Sequence, residues 1–164
     1  MKGYTLVEAI IYVAILAILA VTFISLLFTM VQAYTEFRLA RDLVSSAALG
    51  LERVGRETRQ AASVDPASTL GSHPGRLLLN TTNESGAPKT VDFYLSAGAL
   101  MIKDGAALAA STTSGLVTVD NLVFRQINTA ESQAVKVELT LSASRGSLTR
   151  TEKFYDTAVL RGSY

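Results

Sequence analysis

From Ala9 to Val31 the chain carries no charged residue, no Pro and no Gly. A helix over that stretch rises ~34 Å, enough for a bilayer core of ~30 Å. Its apolar residues, among them Ile10, Ile11, Val13, Ile15, Leu16, Ile18, Leu19, Val21, Phe23 and Ile24, fall on every side of the helix. That distribution fits lipid better than the single buried stripe of a soluble helix. Past Val31 the pattern becomes one-sided. Phe37, Ala40, Val44, Ala47, Leu51, Val54, Thr58 and Ala61 recur at spacings of three and four, predicting a stripe that packs on a domain. The other face carries Glu36, Arg38, Arg41, Asp42, Glu52, Arg53, Glu57 and Arg59, with Glu52–Arg56 and Arg53–Glu57 as i,i+4 pairs worth ~0.2–0.5 kcal/mol each. Gly50 and Gly55 each weaken this half by ~1 kcal/mol relative to Ala, which points to bending or close packing. Ser63-Val64-Asp65-Pro66 is a stop signal. The prediction is one helix from about Tyr4 to about Ala62.

The periodicity then shortens. Ala67–Gly75 is a loop rich in Ser, Thr, Gly and Pro. Arg76–Leu79 reads as a buried strand, and Asn80–Lys89 as a polar loop closed by Gly86-Ala87-Pro88. Thr90–Leu95 and Leu100–Lys103 alternate around Ser96-Ala97-Gly98, a hairpin pattern. After the Asp104-Gly105 turn and an Ala/Ser/Thr tract, Val117–Val119 and Leu122–Ile127 are the next strands. Val135, Val137, Leu139 and Leu141 alternate with Lys136, Glu138, Thr140 and Ser142, the clearest half-buried strand. Ser144–Ser147 turns the chain, and Leu148–Leu160 returns along it. A long helix followed by antiparallel strands predicts an α+β fold.

Composition narrows the functional classes. With 164 residues, 49% of them apolar, there is room for one membrane helix and one small domain. The absence of Cys excludes disulfides and thiolate metal sites. A formal net charge of +1 offers no general field for nucleic acid. From Asp65 onward nine basic residues face nine acidic ones, so this part is neutral. Lys2 against the mixed flank Glu36, Arg38, Arg41 and Asp42 leans towards a cytoplasmic N-terminus. No catalytic constellation can be assembled. His73 is the single His, in the loop Gly71-Ser72-His73-Pro74-Gly75. There is no Gly-x-Ser-x-Gly, no phosphate loop and no His-rich metal spacing. Asp104-Gly105 and Asp120-Asn121 read as turns rather than Ca²⁺ ligands. Asn80-Thr81-Thr82 and Asn83-Glu84-Ser85 match glycosylation sequons of a kind that arises readily in polar loops. The expectation is no enzyme, no cofactor and no metal.

One carboxylate stands at the head of the apolar run. Alone, Glu8 reads as a solvated acid near a helix N-terminus, favoured by the macrodipole. Its context is Met1-Lys2-Gly3 followed by Tyr4-Thr5-Leu6-Val7-Glu8 and then the uninterrupted apolar helix. A short basic leader ending in Gly, an aromatic, and Thr-Leu-Val-Glu resemble the N-terminus of the type IV pilin and pseudopilin family. Tyr4 replaces the commoner Phe, and position 25 is Ser where that family often carries Pro. Arg53–Ala61, Val91–Leu100, Leu122-Val123-Phe124 and Phe154–Arg161 are more diffusely similar to minor pseudopilins of the J type and minor pilins of the W type.

The resemblance implies residues 1–3 as leader, 4–31 as transmembrane and filament-core helix, 32–62 as its amphipathic continuation and 63–164 as an extracytoplasmic β-rich head. It implies cleavage by a prepilin peptidase between Gly3 and Tyr4, N-methylation of Tyr4, and Glu8 as the assembly glutamate. The expected function is a minor structural subunit of a type IV pilus or a type II secretion pseudopilus. Such a subunit is stored in the cytoplasmic membrane and partnered by other pilin or pseudopilin subunits. The competing reading is a single-pass membrane protein whose extracytoplasmic domain binds a ligand.

Overall fold

The computed structural model describes residues 5–83, 85–129 and 132–161. One helix, α1, spans Leu6–Gln60, and the chain divides into two compact units between Arg38 and Leu39.

In the first unit α1 presents its apolar side chains outward on every side: Leu6 is 77% exposed, Phe23 69% and Met30 72%. The few hydroxyls in the run bond back to their own helix. Thr22 donates to the Ile18 carbonyl at 2.7 Å, Ser25 to Thr22 at 2.8 Å, Thr29 to Ser25 at 3.0 Å and Thr35 to Val31 at 2.9 Å. This back-bonding satisfies those four hydroxyl donors within the helix. The helix runs through Ser25 without interruption. It is long and apolar enough to cross a membrane.

The second unit pairs the rest of α1 with two antiparallel sheets. Strands β1 (Ser63–Val64), β2 (Leu77–Thr82), β3 (Pro88–Ser96), β4 (Ala99–Asp104) and β5 (Ala110–Ser111) form one sheet in sequential order. Strands β6 (Thr118–Asn128), β7 (Gln133–Arg145) and β8 (Leu148–Val159) form the other. The class is α+β, as the order of periodicities predicted. The β3–β4 hairpin turns through Ala97 and Gly98, both at positive φ (49° and 72°), the primed geometry that matches strand twist. Val135, Val137, Leu139 and Leu141 are all buried on one face of β7, and β8 pairs along it from Leu148 to Val159.

Three expectations need correction. The buried face of α1 is Leu39, Leu43, Ala47, Gly50, Val54 and Thr58, whereas Phe37 and Val44 are 75% and 52% exposed. Ala47, Val54, Thr58 and Ala61 of the predicted stripe are buried and Leu51 is half-buried, so the correction concerns Phe37 and Val44, whose places in the core are taken by Leu39 and Leu43. Ser46 and Gly50 also face the core, which their residue types did not announce. The helix also ends at Gln60, before the Asp-Pro stop, because the Ala62 amide bonds to the Asn80 carbonyl at 2.8 Å and starts β1. Both ends of Asn80–Lys89 are strand rather than loop: β2 runs to Thr82 and β3 begins at Pro88. Only a short turn remains, where Asn83 Oδ1 accepts from the amides of Ser85 and Ala87 at 3.1 and 2.8 Å.

The core is one cluster joining Leu43, Ala47 and Val54 of α1 to Leu79, Phe93 and Leu100 of the first sheet and Phe124, Leu139 and Leu141 of the second. Both helix glycines lie beside other side chains of the domain. A Cβ on Gly50 would lie 3.4 Å from Leu100 Cδ2, and one on Gly55 would lie 3.1 Å from Asp156 Oδ2. The sheets are stitched by the loop before β2. Gly71 and Gly75 donate their amides to the Phe124 and Leu122 carbonyls at 2.8 and 2.9 Å.

Candidate functional site at the head of the apolar helix

Thr5-Leu6-Val7-Glu8 has the spacing of a helix N-cap, and the local geometry follows from it. The Thr5 hydroxyl accepts from the Glu8 amide at 3.3 Å, and the Thr5 carbonyl accepts from the Ala9 amide at 3.2 Å. Capping therefore places the Glu8 side chain in the first turn, where the helix dipole favours an anion. One turn on, the Tyr12 hydroxyl donates to Glu8 Oε1 at 3.4 Å. Tyr12 was not singled out in the sequence, although its i+4 spacing from Glu8 was the available signal.

Glu8 is half-buried, and it is the only charged side chain from Thr5 to Thr35. No ion pair among the described residues involves it. A carboxylate with one hydroxyl contact retains capacity for a cation: two oxygens offer about four acceptor positions. Chemically the arrangement can receive an ammonium group. Gly3 and Tyr4, the expected cleavage and methylation positions, lie outside the described residues.

The other residues weighed in the sequence have structural duties. His73 is exposed, and its Nδ1 accepts from the Leu122 amide at 3.1 Å, pinning its loop to β6. Asp104 pairs with Lys89 at 2.7 Å. Asp120 accepts from Ser142 at 2.9 Å, beside the irregularity in β6 between Val119 and Asn121. Asn80 sits within β2, and Asn83 braces its turn. Among the described residues no group of three His, Asp or Glu could hold a metal ion.

Two charge centres on the outer sheet faces were not anticipated. Arg76 makes a two-point contact with Asp92 at 3.0 and 2.6 Å, which raises the guanidinium pKa above its ordinary value. Glu138 lies between Lys136 (3.0 Å) and Arg125 (3.2 Å). The hydrogen bond from Lys136, aided by the charges of Lys136 and Arg125, outweighs burial and holds its carboxyl below the usual range. Lys136 and Glu138 are i,i+2 neighbours on one face of β7, while Arg125 reaches Glu138 from the paired strand β6 and Arg76 reaches Asp92 of β3 from just before β2.

Compared with family models, with curated proteins and with solved structures, the chain matches none.

Proposed function

We propose that this chain is a structural subunit of a type IV pilus or a type II secretion pseudopilus, a minor subunit of the J or W kind. It enters the filament through α1 after removal of residues 1–3. The observation that carries the reading is a single carboxylate, Glu8, heading an apolar helix whose large hydrophobic side chains from Leu6 to Val31 are exposed. The Gly3-Tyr4 junction immediately before it, where the resemblance puts leader cleavage, supports the same reading.

The mechanism follows from the chemistry of that end. The subunit waits in the cytoplasmic membrane with its head outside. Cleavage after Gly3 by a membrane prepilin peptidase exposes the Tyr4 amine, which is then methylated and remains cationic. In the filament the amine of one subunit meets Glu8 of its neighbour. In a low-dielectric surround such a pair fixes register, because a lone charge there is strongly penalised. Contacts between apolar helices replace contacts with lipid, and the back-bonded hydroxyls let that exchange proceed without exposing polar groups.

The test compares assembled with membrane-pool protein at equal expression for Glu8→Ala and Glu8→Gln. Breaking one side of a buried pair costs ~3–5 kcal/mol, so both variants should insert, be cleaved and fold, yet assemble at least about a hundredfold less. Assembly at the wild-type level by both would remove Glu8 from the mechanism. The mass of the assembled protein should begin at N-methylated Tyr4. A mass that retains Met1 would turn the reading to an uncleaved single-pass membrane protein with a ligand-binding head.

A further inference from the structure

Two tyrosines stand near the ends of the apolar run, and each touches a charged side chain one turn further from its centre. The Tyr12 hydroxyl meets Glu8 Oε1 at 3.4 Å, and the Arg38 guanidinium lies over the Tyr34 ring, 4.9 Å from its centroid. Side chains lean towards the N-terminus of a helix, so Tyr12 reaches outward to its acid while Arg38 reaches back to its ring. Both pairs therefore set an amphipathic ring on the inner side and a charge on the outer side. Between the two rings there is no charged residue and no other Tyr.

The spacing of the pairs matches a bilayer at two levels. From Tyr12 to Tyr34 the helix rises ~33 Å. A hydrocarbon core of ~30 Å takes that length at a tilt of ~25°, within the ordinary range for membrane helices. From Glu8 to Arg38 the rise is ~45 Å, close to the thickness of a bilayer with its headgroups. Tyr rings gather at the membrane–water interface because one end of the ring is apolar and the other polar. The cation of the second pair is also equipped for a headgroup. A guanidinium stacked on a ring keeps its edge open, and its five N–H donors lie in that edge. Arg38 enters no ion pair among the described residues. Glu36 points ~160° away around the helix, so it does not compete for those donors.

We propose that these two pairs fix the register of the helix in a phospholipid bilayer. Tyr12 and Tyr34 mark the two faces of the hydrocarbon, Arg38 binds a lipid phosphate on one side, and Glu8 is held in the headgroup layer on the other. Centring the apolar run alone gives a different register. Leu6–Val31 has its midpoint near Leu19, which leaves Tyr34 ~8 Å and Arg38 ~14 Å beyond the hydrocarbon. Centring on the pairs puts Phe23 at the midplane and moves Leu6, Val7 and Ile10 out of the hydrocarbon. Interfacial rings and cations, which anchor a helix at both surfaces, decide between the two. Glu8 then stays in a wet layer until a partner takes it, and the bond from Tyr12 holds it there. This inference rests on the membrane part of the proposed function and not on filament assembly.

The chain has no Trp, so single substitutions make clean depth probes. Full-length Tyr12→Trp, Phe23→Trp and Tyr34→Trp are reconstituted in phosphatidylcholine–phosphatidylglycerol vesicles, and emission is quenched by lipids brominated at successive acyl positions. Phe23→Trp should lie at the midplane, with Tyr12→Trp and Tyr34→Trp at equal depths, each ~15 Å from it. Removing the second pair with Tyr34→Ala and Arg38→Ala lets the helix recentre on its apolar run. That double change should carry the Phe23→Trp probe ~6 Å off the midplane, towards the Arg38 side. Arg38→Ala alone should give a measurable part of the shift, and no shift would remove the phosphate contact. The register is overturned if Tyr12→Trp lies several ångströms deeper than Tyr34→Trp, or if the double change leaves the Phe23→Trp depth unmoved. Failure of the membrane reading looks different: brominated lipid would then quench none of the three probes, and the register would fall with it.

Discussion

Adjacent residues on α1 give the sharpest test of how the helix is rotated against the sheets. Leu43 is fully buried, in the same cluster as Leu79, Leu100 and Leu139, whereas Val44 is 52% exposed. Truncating a buried Leu to Ala costs ~2–5 kcal/mol, the transfer term plus the cavity left behind. An Asp at the same place adds the penalty of an unpaired carboxylate. Total stability for a domain of this size is ~5–15 kcal/mol, so Leu43→Asp should remove most or all of it. Val44→Asp loses about half the burial of a Val side chain, ~1 kcal/mol, and leaves its charge in water. The assay is urea unfolding of a soluble fragment starting at residue 33, which retains the whole core cluster, followed by circular dichroism. With urea slopes of ~1–3 kcal/mol/M, Leu43→Ala should lower the midpoint by roughly 1–3 M, and Leu43→Asp should leave no folded baseline. Val44→Asp should stay within about 1 M of wild type. If Val44→Asp proves as damaging as Leu43→Asp, the helix is rotated differently and the core described above is wrong.

The same unfolding assay separates two glycines. A Cβ on Gly75 would sit 3.0 Å from the Leu122 carbonyl oxygen and 3.2 Å from the Phe124 nitrogen, backbone that cannot step aside. Gly75→Ala should therefore cost ~1–3 kcal/mol, and wild-type stability would refute the close approach. At Gly50 the nearest atom is a Leu100 methyl at 3.4 Å, so Gly50→Ala should be neutral or gain up to ~1 kcal/mol of helix propensity. A loss there above 1–2 kcal/mol would mean that the helix packs tighter than described. Glu138 titrates below its unfolded value, so its contribution to stability is present above the ordinary carboxylate range of ~4.3 and fades as pH falls through it to the lower folded value. Lys136→Met removes the largest cause and should move the Glu138 midpoint upward in an NMR titration; an unmoved midpoint would acquit Lys136.

Elements whose signal is local were legible in the sequence. The apolar run of α1 announces itself because no alternative burial exists for so many contiguous hydrophobic residues. β7 shows a strict period of two because one face meets the core and the other meets water. The β3–β4 turn was visible because Gly98, at φ 72°, is a residue type that takes positive φ at no steric cost. Glu8 could be singled out because a carboxylate at the head of an uncharged helix is conspicuous without any coordinates. The clear cases share one property: the residues that cause the structure are neighbours in the chain.

Tertiary structure decided what depends on distant partners. On α1 only Phe37 and Val44 were misplaced, and Gly50 was passed over because it looks like a break in a stripe until Leu100 is seen against it. Polar residues from Asn80 to Thr82 became strand because the Thr90–Lys89–Pro88 backbone offered a matching ladder. The Arg76–Asp92 contact and the reach of Arg125 to Glu138 exist only once the strands are paired. The place of β5 at a sheet edge follows from sheet order, which pattern along the chain does not encode. Hydrophobic periodicity specifies which side of an element is buried only when that side is uniformly apolar. Where a close approach calls for Gly, or a hydrogen-bond ladder accepts Thr and Asn, the deciding atoms belong to residues far away in sequence.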